Sequence, residues 1–237
     1  MSEKVNVNQQ EANKALYISG LIILVVIVAL FTNGFGLFNY GNGGNNGKYI
    51  PLEIGNAPVL GSDDAPVTIY GFSDFSCPYC AVAAGVENEI SKGFKERDSS
   101  WSAPVPGIIS NYIESGQVKL VFKYFPGHGT GNSAHLIGWC LNEQDLFWKF
   151  HDLAFENQED VSSLGNMKSL AEGLGADMDL LNECISSKKY NSLLDEDSAM
   201  GSSNKIAGTP AFIINGKLVS GAQSFKVLKE IIDNELS

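Results

Sequence analysis

Cys77 and Cys80 stand three positions apart, enclosing Pro78 and Tyr79, after a short apolar run and before a helical repeat. In that setting the pair is equipped for thiol–disulfide exchange. A cysteine in the first turn of a helix faces unpaired backbone N–H groups and the positive end of the helix dipole, which favour thiolate over thiol. The Cys77 pKa should therefore fall below ~8.5. Pro78 suits that turn, because its missing N–H would have had no intrahelical acceptor. Only a thiolate attacks a disulfide, and Cys80, one turn further in, can then close on Cys77 and expel the partner. Cys77 thus reads as the attacking thiol and Cys80 as the resolving thiol of a redox-active disulfide. A zinc site would need two more ligands at matching spacing, yet Cys140 and Cys184 stand alone and His128, His135 and His151 are scattered, so no metal is expected. A purely structural disulfide across so short a loop would gain little chain entropy.

The surrounding elements are those that would position such a pair. Pro66 to Phe72 (PVTIYGF) is rich in β-branched and aromatic residues and reads as a buried strand. After the cysteines, Val82, Val86, Ile90 and Phe94 recur every four residues, predicting one apolar stripe on a helix that begins at Cys77. Pro104 and Pro106 break it, Ile108 to Glu114 can form a short second helix, and Val118 to Phe125 reads as the next strand. Trp101, beside those prolines, reads as a packing residue or as a lip near the site. From about 127 to 206 the pattern is helical: Phe147, Phe150, Leu153 and Ala154 share a face, as do Met167, Leu170 and Leu174. Ala211 to Ile214 and Lys217 to Ser220 flank Asn215-Gly216, a strong hairpin signal, and Ser224 can cap a final helix.

The first 48 residues differ in composition from the rest. No charge occurs between Lys14 and Lys48, and Ala15 to Phe31 is almost wholly apolar. Residues 15–38 would reach ~36 Å as a helix, enough for a ~30 Å hydrocarbon core. They are expected to form an uncleaved transmembrane signal anchor, the rival being a cleaved signal peptide. Lys4 and Lys14 precede the span, so residues 1–14 are expected in the cytosol and the rest outside, a single-pass protein of the cell membrane. Residues 39–48 (NYGNGGNNGK) read as a flexible linker, and 49–237 as the folded domain. In an oxidising exterior two unpaired thiols are a hazard, so Cys140 and Cys184 read as a structural disulfide, with a pair of buried reduced thiols as the alternative. The 27 acidic and 16 basic residues give a net charge of −11, which argues against nucleic-acid binding.

Four pieces, GSDDAPVTIYGFSDFSCPYC, FPGH after a strand, EQDLFWKFHDLAFENQ in the helical block and GTPAFIINGKLVSGAQ, together resemble the DsbA-like thiol:disulfide oxidoreductases of the thioredoxin superfamily over roughly residues 57–237. The resemblance implies an α/β thioredoxin fold with a helical insertion before a cis-proline strand. Thr209-Pro210 would be the cis pair, with the Thr209 backbone beside Cys77 to hold an extended substrate as an added strand. It further implies a dithiol oxidase without a cofactor, donating the Cys77–Cys80 disulfide to exported or cell-surface cysteine-containing proteins through a mixed disulfide. A membrane reoxidase, DsbB-like or VKOR-like, would restore it. Pro78-Tyr79 also occurs in reducing relatives, so an exported reductase or isomerase is the first alternative. A non-catalytic, chaperone-like peptide-binding module is the second. One departure stands out: thioredoxins proper carry a buried acid six positions before the first cysteine, where this chain has Gly71. Asp74 is the nearest carboxylate, and the acceptor of the Cys80 proton is not legible.

Overall fold

A computed structural model describes residues 52–127 and 129–237. The expected cytosolic segment, anchor and linker, and His128, lie outside the described residues; among the described ones no helix is long and apolar enough to cross a membrane.

The strands β1 (Val59–Leu60), β2 (Val67–Ser73), β3 (Val118–Tyr124), β4 (Ala211–Ile214) and β5 (Lys217–Ser220) form one sheet in the order β1-β3-β2-β4-β5. β2 is central because its residues tolerate burial on both faces; Val67, Ile69 and Phe72 are fully inaccessible. It runs parallel to β3, with Gly71 opposite Phe122, and antiparallel to β4, with Gly71 opposite Phe212. A parallel pair needs a long crossover. Here that crossover is α1 (Pro78–Ala84), α2 (Glu89–Arg97) and α3 (Pro104–Ile108), the last running into a π-helical turn at Ile109–Ile113. The β4–β5 hairpin turns on Asn215 and Gly216 at φ 43° and 89°, the positive pair that a type I′ turn requires.

Between β3 and β4 lies the helical insertion: α4 (Asn132–Asn142), α5 (Phe147–Glu156), a 3₁₀ turn at Gln158–Asp160, α6 (Leu164–Gly173), α7 (Met178–Ser186) and α8 (Asn191–Ser203). Cys140 on α4 and Cys184 on α7 are joined by a disulfide. The terminal helix α9 (Phe225–Leu236) packs with α3 on one sheet face, where Ile108, Leu228 and Ile232 cover Val67, Ile69, Leu120 and Phe212. Phe75, just beyond β2, enters the insertion's own core; its ring lies within 6.5 Å of Phe122, His135, Phe147, Phe150, His151 and Phe155.

The structure corrects two expectations and adds one element. The helix from the cysteines is not continuous, because Gly85 adopts φ 108° and ends α1, and Asn88 caps α2 through Ile90 N–H and Ser91 N–H. A Cβ at Gly85 would lie 2.8 Å from Pro106 Cγ, so this break lets α3 approach α1. Ser224 occupies the N-cap of α9 but its side chain makes no capping bond. The edge strand β1 had no legible pattern; at two residues it is too short for alternation to register.

On the opposite sheet face, Lys123 and Asp197 form an ion pair at 2.9 Å with both side chains 5% exposed. Lys123 also donates to Ile54 O, and Asp197 accepts Tyr124 N–H, so the pair's polar atoms are satisfied. It ties α8 to β3. Lys123→Met leaves Asp197 buried and alone and should cost about 3–5 kcal/mol in urea unfolding; a loss under about 1 kcal/mol would show that the pair does not hold α8.

Candidate active site

Cys77 is the N-cap of α1, with extended backbone (φ −86°, ψ 117°), and Pro78 opens the helix. The chain turns tightly into it, Cys77 N–H donating to Asp74 O at 2.9 Å. Cys77 and Cys80 are not bonded to each other and each is 2% exposed, whereas Tyr79 between them is 46% exposed. Opposite, the Thr209–Pro210 peptide bond is cis, and Cys77 Sγ donates to Thr209 O at 3.3 Å. The residues expected at the site, Cys77, Pro78, Tyr79, Cys80, Thr209 and Pro210, therefore share one locus, while Cys140 and Cys184 lie in the insertion core.

The two thiols are driven apart electrostatically. The Cys77 pKa is pulled down to about 5, first by the hydrogen bond from the Cys80 thiol, with Thr209 and the N–H groups of Cys80 and Tyr79 adding to it against burial. Cys80 moves the other way: burial, then the neighbouring Cys77 charge, push its thiol well above the ordinary value. The Thr209 hydroxyl has no hydrogen-bond partner among the described residues. It lies over Gly127, where a Cβ would come within 2.3 Å of Thr209 Oγ1 and 3.4 Å of Cys77 Cβ, so only glycine lets the loop after β3 close on the thiol.

That loop is held by Asp74. Its Oδ1 accepts Ser76 N–H (2.8 Å) and Ser76 Oγ–H (2.7 Å), and its Oδ2 accepts Gly127 N–H (2.7 Å) and Gly129 N–H (3.4 Å). Burial alone would raise its pKa, but the His135 ring and the Ser76 donors outweigh it and hold the carboxyl well below the usual carboxylate range. His135 Nε2 accepts Phe75 N–H at 3.1 Å and stands 3.6 Å from Oδ1, and burial pushes the His135 pKa down. From the insertion, Gln158 Nε2 donates to Phe75 O (2.7 Å) and Cys77 O (3.0 Å). Sequence reasoning noted Asp74 only as the nearest carboxylate, and left His135 and Gln158 without roles. Gln158 was the last residue of the EQDLFWKFHDLAFENQ piece, but nothing in a sequence says that a glutamine will span 81 positions to a backbone carbonyl. Trp101 packs: its ring meets Phe94 at 5.1 Å and Phe94 meets Tyr79 at 6.3 Å, an aromatic row that leads from the exposed Tyr79 through Phe94.

Comparison with known proteins places the chain among relatives. The profile of a family described as Thioredoxin matches residues 53–95 and 99–234. The chain is similar to Disulfide bond formation protein D of Bacillus subtilis, 28% identical over 206 residues, covering 81% of this chain and 83% of that protein. The Probable disulfide bond formation protein D of Bacillus cereus is 25% identical over 95% of this chain and 99% of its own. Among solved structures, oxidised BdbD from Bacillus subtilis superposes with a TM-score of 0.63 at 29% identity, covering 78% of this chain and 95% of that one.

Two outcomes follow from the geometry. Alkylation against pH should give Cys77 a midpoint near 5; a midpoint at or above ~8.5 would contradict the donor set described. Because the folded pKa is depressed, its contribution to the reduced protein's stability is fully present above the unfolded thiol's pKa and is lost as pH falls through about 5. Asp74→Asn removes an ionised acceptor from three backbone N–H groups and should cost about 2–4 kcal/mol. It should also raise the Cys77 midpoint by loosening the loop; an unchanged midpoint would separate the clamp from the thiol.

Proposed function

The chain belongs to the thioredoxin family, and from that premise we propose that it is a dithiol oxidase in which Cys77 exchanges with substrate and Cys80 resolves. At the coarser level it is a protein-disulfide oxidoreductase. The observation that carries the finer reading is the opposed pair of thiols: one ionised at neutral pH at the N-cap of α1, the other held as a thiol one turn further in.

A substrate thiolate attacks Cys77 Sγ of the Cys77–Cys80 disulfide, a substrate–Cys77 bond forms, and the electron pair of the broken bond leaves on Cys80. A second substrate thiolate then attacks the substrate sulfur of that mixed disulfide, expelling Cys77 as the stabilised thiolate. The lower the Cys77 pKa, the better it leaves and the more the dithiol form is favoured, which is what makes the disulfide a donor. Thr209, entering β4 beside Cys77, is the backbone along which an extended substrate segment would add as a strand. The substrates are exported or cell-surface proteins bearing cysteines, and a membrane reoxidase of DsbB-like or VKOR-like type returns Cys77 and Cys80 to the disulfide.

In this reading residues 15–38 anchor the chain in the cell membrane, residues 1–14 are cytosolic and the domain from 49 onward works outside. The charge-free span after two lysines supports that orientation, and so does the Cys140–Cys184 disulfide, a bond that persists in oxidising compartments.

Cys80→Ser should accumulate mixed disulfides with client proteins through Cys77, and the Cys77–Cys80 couple should have a reduction potential above roughly −200 mV. A potential near −270 mV would make the protein a reductase instead. Clients held equally well by a chain lacking both cysteines would favour the peptide-binding reading.

A further inference from the structure

Exchange at Cys77 requires that Cys80 lose a proton when it attacks and regain one when it leaves, and its burial makes that proton hard to move. Asp74 is not the acceptor. Both its oxygens are occupied by N–H and O–H donors, and a carboxyl held so far below its usual range is a poor base. At Gly71, where thioredoxins proper carry an acid, this chain instead leaves space.

That space is a cavity of about 30 Å³, walled by Gly71, Ser73, Cys80, His151 and apolar side chains including Phe122 and Pro210. On this measure about 10–15 Å³ holds one water, so it has room for one or two; its wall is mostly apolar, and Cys80, Ser73 and His151 are the residues in it that could partner a water. His151 also lines a second, open groove of about 390 Å³ between α1, α3 and α5, whose wall includes Asp152 and Glu156. The His151 ring, with Ala84, Val105, Trp148 and Phe155, lines both the resolving thiol's cavity and that open groove.

The ring is set up to accept a proton. Its Nδ1 lies 2.8 Å from Asp152 Oδ1, and the Asp152 side chain is 73% exposed. Nδ1–H donating to that carboxylate leaves the lone pair on Nε2, which makes no hydrogen bond to a described residue. A carboxylate that orients an imidazole in this way also stabilises the imidazolium that forms. The other ionisable groups facing His151 are Cys80 from α1, His135 from α4, and Glu156 on its own helix; the surrounding Leu60, Val105, Pro106, Ile109 and Phe122 carry no charge.

We propose that His151, oriented by Asp152, is the positioning base that takes and returns the Cys80 proton through water in the Gly71 cavity. The proposal rests on the exchange reading above. In the reducing direction, Cys80 Sγ–H gives its proton to the cavity water as that water gives one to His151 Nε2. The Cys80 thiolate then attacks Cys77 Sγ of the mixed disulfide, forming the intramolecular bond and expelling the partner as its thiolate. In the oxidising direction the same proton returns to Cys80 as it leaves. No electrons move except those of the exchanged disulfide.

The test is the reaction of the reduced full chain with glutathione disulfide, sampled by acid quench and mass spectrometry across pH 5 to 9. The Cys77–glutathione adduct should form at the same rate in wild type, His151→Gln and Asp152→Asn. Its resolution by Cys80 should slow about 100-fold in His151→Gln at pH 7, and should then rise steadily with pH where the wild-type rate levels off. Asp152→Asn, on the surface, should slow resolution several-fold, because the ring loses the partner that orients it. Resolution within twofold of wild type in both variants, or slowed in His151→Gln with an unchanged pH profile, overturns the relay. Failure of wild-type Cys77 to form the adduct at all overturns the exchange reading, and the relay with it.

Discussion

The site depends on one buried carboxylate. Asp74 gathers N–H groups from two segments, the turn into α1 at Ser76 and, 53 positions from Asp74, the loop after β3 at Gly127. Each of those N–H groups is at the end of a strand, beyond the ladder that would otherwise satisfy it. A single ionised acceptor therefore replaces several missing backbone bonds, and in doing so fixes the distance between the thiol-bearing helix and the loop beneath Thr209. Gln158 performs the complementary task on the carbonyl side, donating to Phe75 O and Cys77 O. Between them the backbone of the approach to Cys77 is held by side chains rather than by secondary structure.

The thiol pair shows how little of its asymmetry comes from the helix as a whole. α1 has seven residues, and Gly85 ends it before a long dipole can build. The stabilising contacts on Cys77 are local: the Cys80 thiol, Thr209 and the first N–H groups of the turn. What separates the two sulfurs is their immediate surroundings. Cys80 faces the small cavity under Gly71 and is penalised for charge, while Cys77 meets donors that reward it.

Much of this was legible from residue type and spacing. The strand before Cys77, the Asn215-Gly216 hairpin and the helical block between 127 and 206 each carry a strong local pattern, and the fold places elements at those residues. Local pattern failed where tertiary contact overrode it. The every-fourth-residue apolar stripe from Val82 to Phe94 continues across Gly85 in sequence, but the backbone breaks there so that Pro106 can pack close. Asp74, His135, His151 and Gln158 were visible as residues but not as a site, because their partners are brought in by the insertion and by the loop after β3. His151 carried no motif; its meaning comes from the cavity wall it forms.

The Cys140–Cys184 disulfide gives the scaffold an unusual relation to its own chemistry. The bond that staples α4 to α7 is of the same kind that the Cys77–Cys80 pair is proposed to install in other proteins. A newly made chain carries four thiols, two of them destined for the frame that presents the other two. The frame's two sulfurs are committed to one bond between α4 and α7, so of the four cysteines Cys77 and Cys80 are the two that stay free thiols.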